Sequence, residues 1–112
     1  MGPLNGRVTD ALTRLAETIA ARRDADPASS YVAKLLAAGP PLAARKLGEE
    51  AIETVVAALS GDEGDLIAEA ADLMFHLLVL LEARGMNFAD VLAELERREG
   101  VSGIAEKAAR KA

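Results

Sequence analysis

Residues 46–85 read KLGEEAIETVVAALSGDEGDLIAEAADLMFHLLVLLEARG. Two long runs of helix-forming residues flank Ser60-Gly61-Asp62-Glu63-Gly64, the only obvious turn between them. The acids on either side mirror each other. Glu53 and Glu69 are equidistant from Gly61, and so are Glu50 and Asp72. If the chain folds back at Gly61 as an antiparallel helix hairpin, Glu53 lies level with Glu69 and Glu50 lies level with Asp72. Four carboxylates then converge. They repel unless a cation joins them, and an all-oxygen set selects a hard divalent ion: Mg²⁺, with Mn²⁺ as a substitute. The pattern points to metal-assisted phosphate chemistry.

Outward from the hairpin the chain reads as further helices. Val8, Leu12, Leu15 and Ile19 recur at helical spacing, and Arg22 and Arg23 suit the negative C-terminal end of that first helix. Residues 24–28 form a loop. Ser30 caps a short helix from Tyr31 to Ala38 that Gly39 stops. The first hairpin helix starts at Pro41, suited to a first helical position, and runs to about Leu59. Asp62 caps the second, which reaches about Arg84 before Gly85 ends it. Asn87, with Asp90 three residues on, opens a fifth helix that ends at Gly100. Ser102 starts a basic tail helix. No run alternates strictly enough for a strand. The expectation is one all-α domain over residues 1–112, with a core of about residues 5–100 and a tail helix over 101–112.

Composition narrows the function. The chain has 112 residues, no Cys and a net charge of −5. That excludes disulfides, thiol nucleophiles and thiolate zinc sites, and disfavours nucleic acid as a partner. No secretory signal is evident in residues 1–11, so a cytoplasmic location is expected. Residues 66–81 are interrupted by Glu69, Asp72 and His76, which rules against a membrane span. From Leu73 to Leu81 the helix is apolar almost all round, so it should be covered on every side. A homodimer sharing a helical bundle covers it better than a monomeric bundle does.

Each acidic cluster has a plainer reading. An E-E-x-x-E run is common on solvated helix faces. Glu69 and Asp72 sit at i, i+3 in an otherwise apolar helix, where buried carboxylates need partners and the nearest candidates are more carboxylates and His76. The alternative is salt bridging to Lys or Arg elsewhere. His76, one turn past Asp72, mirrors Lys46, one turn before Glu50. Lys46 then reads as a phosphate contact or a solvated lysine. His76 orients a ligand or substrate, or is a satisfied core histidine. Arg97 and Arg98 reach phosphates or pair with Glu94 and Glu99, the plainer outcome on an exposed helix.

The segments SYVAKLLAAG (Ser30 to Gly39), KLGEEAIETVVAAL (Lys46 to Leu59), EAADLMFHLLVLLEARG (Glu69 to Gly85) and DVLAELERREG (Asp90 to Gly100) resemble the phosphoribosyl-ATP pyrophosphohydrolases of histidine biosynthesis. The resemblance runs in order from about Leu12 to Gly100. It extends to the all-α, MazG-like nucleoside triphosphate pyrophosphohydrolases, whose EExxE and ExxD motifs match Glu49-Glu50-x-x-Glu53 and Glu69-x-x-Asp72. It implies a helical, usually dimeric fold with Mg²⁺ on Glu50, Glu53, Glu69 and Asp72, and it leaves Glu49 either supporting those ligands from behind or as a candidate base. Phe75 departs from the Tyr often found before the histidine. One His and no Cys leave no room for a fused cyclohydrolase domain, so a stand-alone form is expected.

The implied reaction is phosphoribosyl-ATP plus water giving phosphoribosyl-AMP and pyrophosphate, by attack at the α-phosphate. Lys34, Arg45, Lys46, His76 and Arg97 are the candidate substrate contacts. Two other classes stay open: a house-cleaning hydrolase of free nucleoside triphosphates built on the same motif, and a non-catalytic helical interaction module whose acids are solvated or salt-bridged.

Overall fold

The computed structural model describes residues 6–99 and 103–111. Six helices follow in order: α1 (Gly6–Ala21), α2 (Tyr31–Ala38), α3 (Pro40–Ser60), α4 (Glu63–Ala83), α5 (Phe88–Arg98) and α6 (Gly103–Lys111). No strand occurs among the described residues, so the all-α expectation holds. Gly100 and Ser102, read as a helix end and a helix start, lie outside the described residues, as does the side chain of Val8. No described helix is long and apolar enough to cross a membrane.

Local chemistry sets the boundaries. The Ser30 hydroxyl accepts from the Ala33 N–H at 3.1 Å. Asp62 Oδ1 accepts from Asp65 N–H at 3.2 Å, and Asn87 Oδ1 from Ala89 N–H at 2.8 Å. Each satisfies a donor that the first helical turn leaves unpaired. Gly61 takes φ 92°, ψ 0°, the left-handed conformation that lets α3 stop and the chain reverse into α4. The hairpin expected about Gly61 is the central element, with α3 and α4 packed along each other. After α4 the Gly85 N–H donates to the Glu82 carbonyl and the Met86 N–H to the Leu81 carbonyl, which closes the helix end.

The core lies at the end of the hairpin away from Gly61. Ile19 of α1, Leu35 and Leu36 of α2, Ala43 of α3, and Leu78 and Val79 of α4 are buried together. Leu12, Leu15, Phe75 and Phe88 pack against them. Arg23 differs from its expected role. It serves the end of α4 rather than that of α1: its guanidinium donates to the Glu82 carboxylate at 2.7 and 3.0 Å and also to the Glu82 carbonyl. The chain has left α1 after Ala21, which frees Arg23 to cross to the neighbouring helix terminus. This tie and the shared core fix α1 and α2 on one end of the hairpin. Between that core and the turn stands the acidic patch.

Candidate metal centre

Glu50 and Glu53 lie one turn apart on α3, and Glu69 and Asp72 lie one turn apart on α4. The antiparallel packing brings the two pairs together. One carboxylate oxygen each from Glu50, Glu69 and Asp72 falls within 4.8 Å of the others. Glu53 stands beside them, near enough to act on both Glu50 and Glu69.

Electrostatically the arrangement is self-repelling. Burial raises the Glu50 carboxyl above its ordinary range, and hydrogen bonding to Glu53 and the charges of Glu53, Asp72 and Glu69 raise it further. Burial likewise raises Glu69, followed by the hydrogen bond with Glu53 and the charges of Glu53, Asp72 and Asp65. The charges that raise these two groups all belong to other carboxylates: Glu53, Asp72 and Glu69 act on Glu50, and Glu53, Asp72 and Asp65 on Glu69. Glu50 Oε2 and Glu69 Oε2 are buried with no hydrogen-bond partner. A buried carboxylate oxygen facing other carboxylates is costly unless a cation completes it. Two such oxygens, from opposite helices and in one all-oxygen cluster, fit a hard divalent cation.

The backbone around the cluster is held from both helices. Thr54 Oγ1, one turn after Glu50, lies 2.8 Å from the Glu50 carbonyl oxygen and 3.1 Å from that of Glu69. His76 is buried, with Nδ1 at 2.8 Å from the Asp72 carbonyl oxygen and Nε2 at 2.9 Å from the Tyr31 hydroxyl. A carbonyl only accepts, so Nδ1 carries a proton; in the neutral ring, Nε2 accepts from the tyrosine. The Tyr31 ring stacks on Phe75 at 6.3 Å between centroids. Neither the Thr54 contacts nor the Tyr31–His76 bond is among the expectations from the sequence. Thr54 does carry a signal, because it shares the Glu50 face one turn on. Tyr31 carries none, because its contact depends on how α2 docks.

Residues 12–99 match the phosphoribosyl-ATP pyrophosphohydrolase family. The chain belongs to that family. A phosphoribosyl-ATP pyrophosphatase of Rhizorhabdus wittichii is 64% identical over 103 residues, covering 92% of this chain and 97% of the relative. One from Erythrobacter litoralis is 65% identical over 99 residues, 88% of this chain and 95% of the relative. One from Paracoccus denitrificans is 56% identical over 108 residues, 96% of this chain and the whole of the relative. The alignments thus take in both helices of the hairpin.

The remaining candidate residues lie on α2, α3 and α5. Glu49 is exposed on α3 and outside the convergent trio, with Arg45 Nε at 3.7 Å and Lys46 Nζ at 3.4 Å from its two oxygens. Lys34 is exposed on α2. Arg97 forks onto Glu94 at 3.0 and 2.7 Å, and Arg98 donates to the same carboxylate at 2.9 Å. The two arginines hold the Glu94 carboxyl down at about 2. This is the plainer of the two readings of Arg97.

Proposed function

We propose that this chain hydrolyses phosphoribosyl-ATP to phosphoribosyl-AMP and pyrophosphate, the second step of histidine biosynthesis, with Mg²⁺ held by Glu50, Glu69 and Asp72 and with Glu53 as a fourth ligand. Family membership over most of the chain supports the reaction. The observation that carries the site is the pair of partnerless buried oxygens on Glu50 and Glu69 within the convergent trio. When bound, the cation neutralises triphosphate charge, polarises the α-phosphorus and supports departure of pyrophosphate.

The chain's own residues then have separable tasks. Glu50, Glu69 and Asp72 present oxygens from two helices whose packing sets their spacing, so the site is largely preorganised before substrate arrives. Glu49, half exposed and held by Arg45 and Lys46, is the proposed acceptor of the attacking water's proton. Arg45 and Lys46 keep most of their donors for phosphate oxygens, since each meets Glu49 only at long range. Lys34 supplies a further exposed cation from α2. Arg97 reaches a phosphate only by exchanging its fork on Glu94. His76, with both ring nitrogens already bonded inside the protein, orients the Asp72 segment rather than the substrate.

A homodimer is part of the proposal. Ile52, Val55, Val56 and Leu59 form one stripe on α3, and they are 67%, 58%, 60% and 83% exposed. Ile67 on α4 is 70% exposed. A contiguous apolar face of this kind marks an interaction surface. A single-subunit mass in analytical ultracentrifugation rejects the dimer.

The test is pyrophosphate release from phosphoribosyl-ATP, with and without Mg²⁺, beside Glu69→Ala. Mg²⁺-dependent release that falls to background in the variant is expected. Rapid turnover of free dNTPs with no release from phosphoribosyl-ATP rejects the proposed reaction and leaves the hydrolase class. No metal binding and no hydrolysis of either substrate leaves a helical interaction module.

A further inference from the structure

Threonine in a helix commonly donates to the carbonyl four residues back, and Thr54 does this with Glu50 at 2.8 Å. Its second contact is less common. The same oxygen lies 3.1 Å from the Glu69 carbonyl, fifteen residues away on the antiparallel helix. Glu50 and Glu69 both lie inside helices, where the carbonyl already accepts a backbone N–H from the next turn. Neither oxygen needs Thr54 for satisfaction, since a carbonyl has two lone pairs. What the hydroxyl adds is a part-buried link, a single hydrogen shared between the main chains of two residues that face one another in the acidic trio.

The link matters because of where it acts. The two carboxylates that Thr54 joins through their backbones are the two that carry partnerless buried oxygens. They repel each other, so the helices are pushed apart at this level unless something holds them. A small hard cation tolerates little error in ligand placement, and groups that hold its ligands contribute strongly to affinity. We infer that Thr54 is a positioning residue of the metal site: its hydroxyl sets the separation of α3 and α4 where Glu50 and Glu69 meet. The inference rests on the metal reading of Glu50, Glu69 and Asp72.

The test is calorimetric titration of the substrate-free protein with Mn²⁺, accompanied by melting in EDTA. The proteins are wild type, Thr54→Val, Thr54→Ser and Glu69→Ala. Thr54→Val keeps the volume and removes the donor; it should weaken Mn²⁺ binding by about tenfold, and Thr54→Ser should recover it to within about twofold. Wild-type affinity in a folded Thr54→Val protein overturns the inference, and so does a lower melting temperature in EDTA with unchanged affinity. Failure of the serine variant to recover binding also overturns it. If the valine variant does not fold, Thr54→Ala is read against Thr54→Ser by the same criteria. Absence of Mn²⁺ binding in wild type, or undiminished binding by Glu69→Ala, defeats the metal reading itself, an outcome distinct from a failure of Thr54 alone.

Discussion

Replacing Glu50 by Gln should stabilise the metal-free protein and destabilise it relative to wild type once the cation is present. The oxygens of Glu50, Glu69 and Asp72 lie within 4.8 Å, a distance at which two like charges repel by about 0.9 kcal/mol at the dielectric of water and by about 3.5 kcal/mol at an effective value of 20. Glu50 is only partly buried, so the water-like figure governs. Glu50→Gln removes two such pairs, and the new amide can donate to a neighbouring carboxylate. The metal-free protein should gain about 1–2 kcal/mol, or roughly 4–8 °C in melting temperature per kcal/mol for a domain of this size. Mg²⁺ reverses the order. At about a hundred times its Kd a ligand stabilises the folded state by about 2.7 kcal/mol, and the variant forfeits most of this. The assay is urea denaturation at equal protein concentration, in EDTA and in Mg²⁺, at a pH of about 8 where free carboxylates are ionised. A variant less stable than wild type in EDTA, or one that gains as much from Mg²⁺, would refute the reasoning.

Other expectations concern pH, the core and the turn. Glu50 and Glu69 have carboxyls raised above 4.5 in the folded state, so the stability they contribute is full below that value and is lost as pH rises through the raised range. In EDTA the urea midpoint should therefore climb as pH falls from neutral toward 4.5; a flat midpoint counts against the clustering. Glu94 has the opposite sign. Its carboxyl is held at about 2 by Arg97 and Arg98, so its contribution is full above 4.5 and is lost as pH falls from there toward about 2. Glu94→Gln should flatten the acid limb of the same profile. Leu35 is 1% exposed in the core, and Leu35→Ala should cost about 2–5 kcal/mol by urea denaturation. At Gly61 a Cβ meets nothing within 4 Å, yet φ is 92°. Gly61→Ala should therefore cost about 1–2 kcal/mol through backbone strain alone, and Gly61→Asn less, both by the same denaturation assay.

What the sequence disclosed and what it concealed divide by range. Ser30, Asp62 and Asn87 were readable as caps because capping involves residues two or three apart. The hairpin was readable because two antiparallel helices about one turn keep equal distances from it, and Glu50 and Asp72 meet as their spacing from Gly61 requires. Glu53 also arrives beside Glu69, though outside the tight trio, because levels along a helix axis say nothing of rotation about it. The Arg23 fork on Glu82 and the Tyr31 hydroxyl on His76 join segments 59 and 45 residues apart. Both depend on the docking of α1 and α2, which periodicity leaves undetermined.

The placement of the core explains why this hairpin can carry so much uncompensated charge. Ile19, Leu35, Leu36, Ala43, Leu78 and Val79 bind α3 to α4 at the end remote from the turn. Between Glu50 and Asp72, Ala57 is the only buried described residue, while Leu59 and Ile67 are mostly exposed. The apolar packing that resists electrostatic repulsion is thus concentrated outside the acidic segment, where it holds the helices in register without filling the space between the carboxylates. Inside that segment the Thr54 hydroxyl reaches across to the Glu69 carbonyl, and the small Ala57 is buried. A hairpin packed equally tightly throughout would have apolar side chains where the acids stand. Here the stable end supplies the alignment, and the weakly packed end is left to be completed by what binds it: a cation between the carboxylates and, on the outer stripe of α3, a second apolar surface.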